Sequence, residues 1–183
     1  PINSLNELGF QEGSIFSDTT LSLNSHTCAI LDNGSLKCWG SDTNGRLGNG
    51  ATSGVKKSPS SVDIETIRTT LVVAAGASHT CAILDNGSLK CWGSDANGRL
   101  GNGASITGVQ VSPTSVDLGT GRTAVAVTAG GSQTCAILDD GSLKCWGSDS
   151  DGQLGNGATL LGNQVSPTSV DLGTGRTAVA VTA

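Results

Sequence analysis

The sequence contains no methionine and no tyrosine, and its 183 residues include only three Trp and two Phe. Bulk for a core must therefore come from small aliphatic residues and from whatever else staples the chain. Lacking an initiator methionine, the chain reads as a processed product or a slice of a longer protein. Charge is scarce too: Asp, Glu, Lys and Arg make up 14%, against roughly a quarter in ordinary domains. Ten basic residues against fifteen acidic ones give a net charge of −5. That balance speaks against a phosphate-binding footprint, and so against nucleic acid as a partner. It speaks equally against attraction to anionic lipid. No apolar run approaches the roughly 18 residues of a membrane helix, so membrane insertion is not expected. Residues 1–20 have neither a basic start nor a long apolar stretch, and do not read as a retained signal peptide. Two His and scattered carboxylates leave no triad and no metal cluster, so the chain is not expected to be an enzyme.

What is abundant is glycine, 27 residues or about twice ordinary usage, and it recurs in register. Cys28-Ala-Ile-Leu-Asp-Asn-Gly-Ser-Leu-Lys-Cys38-Trp39-Gly40 returns unchanged as Cys81 to Gly93. It returns again as Cys135 to Gly147, with Asp140 in place of Asn. Each core is followed by Ser-Asp-x-Asn/Asp-Gly-x-Leu-Gly-Asn-Gly, at 41–50, 94–103 and 148–157. A Ser-Pro-x-Ser-Val-Asp block follows around Pro59, Pro113 and Pro167, then an alternating apolar run at 70–75, 123–129 and 177–183. A unit of 53 to 54 residues cannot bury its own faces and must stack on copies of itself.

The units read as strands. Ala124–Ala129, rich in Val, is expected to be a strand buried on both faces. Asn-Gly or Asp-Gly between apolar runs is a strong hairpin signal, because Gly takes the positive φ such turns need. Short antiparallel sheets repeated at this length predict an all-β, β-propeller-type tandem repeat. The expected layout is three four-stranded blades at 20–69, 70–122 and 123–176. Residues 177–183 form an extra terminal strand, the first of a further blade. Residues 1–19 are an arm outside the repeat.

The stretch Ser78-His-Thr-Cys-Ala-Ile-Leu-Asp-Asn-Gly-Ser-Leu-Lys-Cys-Trp-Gly93, with Gly98-Arg-Leu-Gly101 after it, resembles the regulator of chromosome condensation repeat. Gly152-Gln-Leu-Gly155 and the spacing of Pro113 to Val116 extend the likeness, which covers about residues 21–183. The resemblance implies a propeller, typically of seven four-stranded blades. It implies no exchange activity and no site residues, because none of the loops that carry function in that family is recognisable.

The six Cys form three pairs ten positions apart. In a hairpin turning on Asp32-Asn33-Gly34, Ile30 faces Leu36 and Cys28 lies opposite Cys38. A non-hydrogen-bonded cross-strand pair is close enough for a disulfide. Cys81–Cys91 and Cys135–Cys145 follow the same rule. Zinc would want shorter spacings and more histidines, and Gln133 stands where the other copies have His26 and His79. Disulfides persist outside the cytosol, which predicts an extracellular or cell-surface location. Trp39, Trp92 and Trp146 are expected to pack between blades, and His26 and His79 to be structural strand residues. No cofactor is expected; Asp149 and Asp151 resemble the start of a calcium loop but lack its closing Glu. Asn33 and Asn86 are glycosylation acceptors by sequence.

Three hairpin cores are too few for a closed ring of about four to eight blades. The arm carries Ile2, Leu5, Leu8, Phe10 and Phe16, apolar surface that should dock somewhere. Ala178, Val179 and Val181 form a strand with no hairpin to pair with. Two readings follow. Copies of the chain assemble head to tail into a ring or filament, with a structural role, through the arm or the donated strand. Alternatively, the chain is part of a longer secreted propeller that recognises a protein or glycan.

Overall fold

The turn residues reverse the chain as their chemistry requires. Gly34, Gly87 and Gly141 take φ near +76° in the computed structural model. The N–H of Leu31, Leu84 and Leu138 donates across each turn to the carbonyl of Ser35, Ser88 and Ser142. The structure describes residues 25–65, 67–103, 108–157 and 162–183. The predicted arm at 1–19, and residues 20–24 of the first predicted blade, lie outside these.

Eleven strands are described. The first sheet holds β1 (His26–Ile30), β2 (Leu36–Ser41) and β3 (Val55–Ser61). The second holds β4 (Thr70–Ala75), β5 (His79–Leu84), β6 (Leu89–Ser94) and β7 (Val109–Ser115). The third holds β8 (Ala124–Ala129), β9 (Gln133–Leu138), β10 (Leu143–Gly147) and β11 (Gln164–Ser169). Each sheet is an antiparallel meander in sequence order. The register puts Ile30 opposite Leu36 and Cys28 opposite Cys38, and repeats in the other two hairpins.

The sheets stack as blades. β4 lies against β1 of the preceding sheet, and β8 lies against β4 and β5. Between the first two sheets, Leu36, Cys38 and Leu47 pack with Ala82 and Trp92. Between the second and third, Leu89 and Leu100 pack with Ala136, Leu138 and Trp146. Aliphatic residues are small here, so each joint is centred on one Trp. The outer strands are blunted: the register slips where β3, β7 and β11 pass their Pro, which has no N–H to offer another chain.

Two expectations need correction. β8 is not buried on both faces: Val125 is 56% exposed, and Leu71 on β4 is 60% exposed. In both strands the exposed residue sits at a register slip, between Thr70 and Val72 and between Ala124 and Ala126, while Val73 and Val127 pack against the core. Three strands of the first sheet are described; the fourth strand expected there falls on residues 20–24, outside the described residues. Residues 177–183 form no strand. They nevertheless take a strand's seat, because Ala178 donates its N–H to the Gly141 carbonyl just as Thr70 does to Gly34 and Ala124 to Gly87. A strand needs a ladder partner, and no described residue supplies one.

Candidate functional site

Among the described residues, the most organised polar chemistry lies at the joints between blades. Trp92 and Trp146 are fully buried there. The indole Nε1–H of Trp92 donates to the carbonyl of Arg46 in the preceding blade, at 3.0 Å. Trp146 does the same to Arg99, at 3.0 Å. Each carbonyl takes a second donor, the hydroxyl of Thr80 or Thr134, at 2.8 Å. Each hydroxyl in turn meets Nε2 of the preceding blade's histidine: His26 with Thr80 at 2.7 Å and His79 with Thr134 at 2.8 Å.

This arrangement fixes the proton positions. The hydroxyl proton of Thr80 is committed to the Arg46 carbonyl, so its oxygen accepts from His26, which must carry its proton on Nε2. The chain of donors therefore runs His N–H to Thr O–H to C=O, with the Trp N–H arriving from the other side. Nδ1 of both histidines is buried without a hydrogen-bond partner. A second proton there would place a charge where nothing receives it. Burial, then the Arg46 charge, holds His26 down to about 4. Burial, then the charges of Arg99 and His26, holds His79 down to about 3.

The Gly-Arg-Leu-Gly segment presents the accepting carbonyl. Arg46 donates from Nε to Thr43 C=O at 2.8 Å and from Nη1 across the joint to Ala77 C=O at 2.8 Å. Arg99 repeats this with Ala96 and Gly131. Buried Asp42 and Asp95 accept the N–H of Leu47 and Leu100, which ties the loop back. Burial raises the Asp95 carboxyl, opposed by the Leu100 N–H, Asn102 and Arg99. The glycines after the Leu make the seat. A Cβ on Gly48 would lie 2.5 Å from Trp92 Nε1, and one on Gly101 would lie 2.5 Å from Trp146 Nε1.

The joint is braced from within each blade by Cys28–Cys38, Cys81–Cys91 and Cys135–Cys145, all bridged at a Cα separation of 4.1 Å. Closing an eleven-residue loop stabilises by about 2–3 kcal/mol in the chain-entropy model. Cys81→Ser/Cys91→Ser is therefore expected to lower the unfolding free energy by about that amount. Urea titration checks it, and an unchanged midpoint would contradict it.

A model of the regulator of chromosome condensation (RCC1) repeat matches residues 24–46, 72–99 and 124–153. A second model of the same repeat matches residues 86–137. The three segments of the first model end on Arg46, Arg99 and Gln153, the residues at the accepting-carbonyl position. The chain belongs to the RCC1 repeat family. It is 33% identical over 129 residues to the mitochondrial RCC1 domain-containing protein RUG3 of Arabidopsis thaliana, covering 70% of this chain and 28% of that one. It is 34% identical over 133 residues to the ultraviolet-B receptor UVR8 of Arabidopsis thaliana, covering 73% and 30%. Among solved structures, Prp20p of Saccharomyces cerevisiae aligns with a TM-score of 0.71 at 19% identity, over 80% of this chain and 36% of that one. Human WBSCR16 aligns with a TM-score of 0.68 at 20% identity, covering 80% and 37%. These two show the RCC1 propeller fold. The chain spans less than a third of the curated relatives it matches.

The two ends of this RCC1 stack differ from its interior. Thr27 is exposed and Trp39 only half-buried, whereas their equivalents Thr80, Trp92, Thr134 and Trp146 are fully buried. Trp39 therefore packs at an outer face, not between two described blades. At the other end, a Cβ on Gly155 would meet only Val170, at 3.3 Å, and one on Gly152 would meet nothing within 4 Å. The interior equivalents of Gly152 are crowded by the next blade: Gly45 by Val111 Cα at 3.0 Å and Gly98 by Val165 Cα at 2.8 Å. The 3-10 turns at Thr43–Gly45 and Ala96–Gly98 press on β7 and β11 of the next blade. No 3-10 turn forms at the same place in the third copy.

The remaining sequence-predicted residues have these places. Val181 packs over Cys135, Cys145 and Leu154, while Val179 is 95% exposed. Asn33 and Asn86 sit exposed on hairpin tips, each side-chain oxygen accepting from the N–H and hydroxyl of the Ser two residues on. Asp149 is buried and accepts the Leu154 N–H at 3.0 Å, while Asp151 is exposed and accepts from Ser150. Among the described residues no group of three or more His, Cys, Asp or Glu converges on one point. The arm residues Ile2, Leu5, Leu8, Phe10 and Phe16 lie outside the described residues. Sequence reasoning missed the latch at each joint, the Trp and Thr donors that meet on one backbone carbonyl with a His behind the Thr. Its signal was there, in His-Thr and Gly-Arg-Leu-Gly at a fixed offset from Trp39 and Trp92, with Gln133-Thr134 and Gly152-Gln-Leu-Gly155 at the same offset from Trp146.

Proposed function

We propose that this RCC1-repeat chain is an extracellular, non-enzymatic structural protein whose copies associate head to tail through the ends of the blade stack. The observation that carries this reading is the pair of half-latches. One end presents Thr27 and Trp39, the donors of a joint; the other presents the Gln153 carbonyl position and the Gly155 seat, the acceptor. A heterologous contact of this kind makes a ring if its rotation closes and a filament if it does not. The disulfides support a location outside the reducing cytosol.

Native mass spectrometry of the oxidised chain at neutral pH is expected to show a species of at least twice 18.2 kDa. A folded, disulfide-bonded monomer as the sole species at tens of micromolar would overturn the reading.

A second reading is a binding module for a protein or glycan. It is favoured by a groove on the hairpin-tip side lined by Leu71, Ile83, Gly87, Ala124 and Val125. Among structural relatives, Prp20p has been characterised for binding to Gsp1p and histones. A saturable change in Trp emission on adding a ligand, with no change in mass of the protein assembly, would favour this reading.

A further inference from the structure

We infer that the hairpin tips Asn33-Gly34 and Asn86-Gly87 are isoaspartate-forming sites, held shut by the joint to the next blade and opened when that joint gives way. This concerns the single chain and does not depend on how copies associate.

Asn before Gly is the pairing most open to this chemistry, because no side chain shields the glycine nitrogen. That nitrogen loses its proton and bonds to the side-chain carbonyl carbon of the Asn. The bond from that carbon to the amide nitrogen breaks, and ammonia leaves with the proton. The five-membered succinimide then takes up one water. Opening at one carbonyl gives Asp. Opening at the other gives isoaspartate, in which the main chain runs through the former side chain and is one carbon longer.

The sequence holds seven Asn-Gly pairs. In six of them the glycine N–H is donated to a backbone carbonyl at 2.9–3.0 Å. At the two tips the acceptors are Leu31 and Leu84; Gly50 and Gly103 donate across the joints, to Val111 and Val165. The tip side chains are held as well. Asn33 Oδ1 accepts the Ser35 N–H at 3.0 Å and its hydroxyl at 2.7 Å, and Asn86 repeats this with Ser88. A committed nitrogen and a fixed amide close the ring only through local opening. Both Asn are exposed, so water for the second step is at hand.

The tips also carry the next blade. Gly34 C=O accepts the Thr70 N–H at 2.9 Å, and Gly87 C=O accepts the Ala124 N–H at 2.8 Å. A Cβ on either glycine would lie 2.5 Å from Thr69 or Thr123. The two products therefore differ in consequence. Asp fits the tip: Asp140 in the third copy accepts the Ser142 N–H at 3.0 Å and its hydroxyl at 2.6 Å, and pairs with Arg122 at 2.9 Å. Isoaspartate displaces the glycine after it, and with it the carbonyl that receives the next blade. The chemistry is thus a ratchet. An opened joint frees the tip, and the lengthened tip keeps the joint open.

The oxidised chain is incubated folded at mildly alkaline pH, and again reduced in concentrated urea. Peptide mass mapping follows each Asn-Gly, and methyl transfer by an isoaspartate-specific methyltransferase reads the longer backbone. Asn33 and Asn86 are expected to react slower by about tenfold or more in the folded chain. Trp92→Phe keeps a ring but removes the N–H given to Arg46 at the first joint. In that variant, folded and disulfide-bonded, Asn33 should react several-fold faster while Asn86, at the second joint, keeps its parental rate. Isoaspartate at position 33 should lower the urea midpoint, whereas Asn33→Asp should leave it at the parental value. Equal tip rates in the folded and unfolded chains, a comparison that needs no variant, overturn the inference. So does a folded Trp92→Phe chain with Asn33 at its parental rate, or an isoaspartyl chain with the parental midpoint.

Discussion

Trp92→Ala is expected to lower the stability of the chain by about 3–5 kcal/mol, the cost of emptying a fully buried aromatic site. Trp39→Ala, in an identical local sequence, is expected to cost the isolated chain a much smaller amount, because Trp39 is only half-buried. The difference is one of neighbours. Trp92 fills the space between two sheets with Leu36, Leu47 and Ala82 and ties its N–H to Arg46. Its loss leaves a cavity and an underused carbonyl at one of only two described joints. Stacked repeats draw their stability from such nearest-neighbour interfaces, so the loss falls on the coupling between blades as much as on either blade. Chemical denaturation reads both variants: Trp92→Ala should lower the midpoint markedly, with a broadened or two-step transition as the blades uncouple. Equal losses for Trp39→Ala and Trp92→Ala would show that burial at the joint is not what distinguishes them.

Acid should weaken the fold through the two buried histidines. Folded His26 titrates near 4 and His79 near 3, both below the ordinary value of 6.5. Between about pH 6.5 and those values the unfolded chain binds protons that the folded chain cannot. Stability from this source is therefore complete above pH 6.5 and declines by about 1.4 kcal/mol per pH unit for each histidine, down to about pH 4 for His26 and about pH 3 for His79. The third copy supplies a control, since it already carries Gln at position 133. His79→Gln should flatten the decline by about half while keeping a donor toward Thr134. The check is the urea midpoint of parent and variant at pH 7, 5 and 4. Parallel pH profiles would contradict the assignment of acid sensitivity to this residue.

The hairpins were legible because two local rules coincide. Asp-Asn-Gly fixes the turn and period-2 alternation fixes the register, so Cys28 opposite Cys38 follows from counting outward. The repeats, and the likeness of their motifs to the RCC1 family, gave the propeller in the same way. The latch was not legible, because its acceptor is a backbone carbonyl. Nothing in the identity of Arg46 marks its C=O as the target of Thr80, 34 positions away, and of Trp92, 46 away. The exposure of Val125 was misread for a related reason. Ala-Val-Ala-Val does not reveal the register slip between Ala124 and Ala126, which turns Val125 outward while Val127 packs against the core. Trp39 and Trp92 make the point most sharply. Their flanking residues are the same over thirteen positions, yet one is sealed and the other half-open, because burial belongs to the neighbour.

The central claim is that the two ends of this stack are halves of one joint. Hydrogen exchange of residues 177–183, followed across a concentration series, tests it most directly. Ala178 seats this segment on the third blade, and no described residue pairs with it as a strand, so at low concentration its amides should exchange quickly. The account predicts that they become protected as the protein concentration rises, in step with the gain in native mass. Amides of 177–183 that exchange at the same fast rate in the associated protein would contradict it.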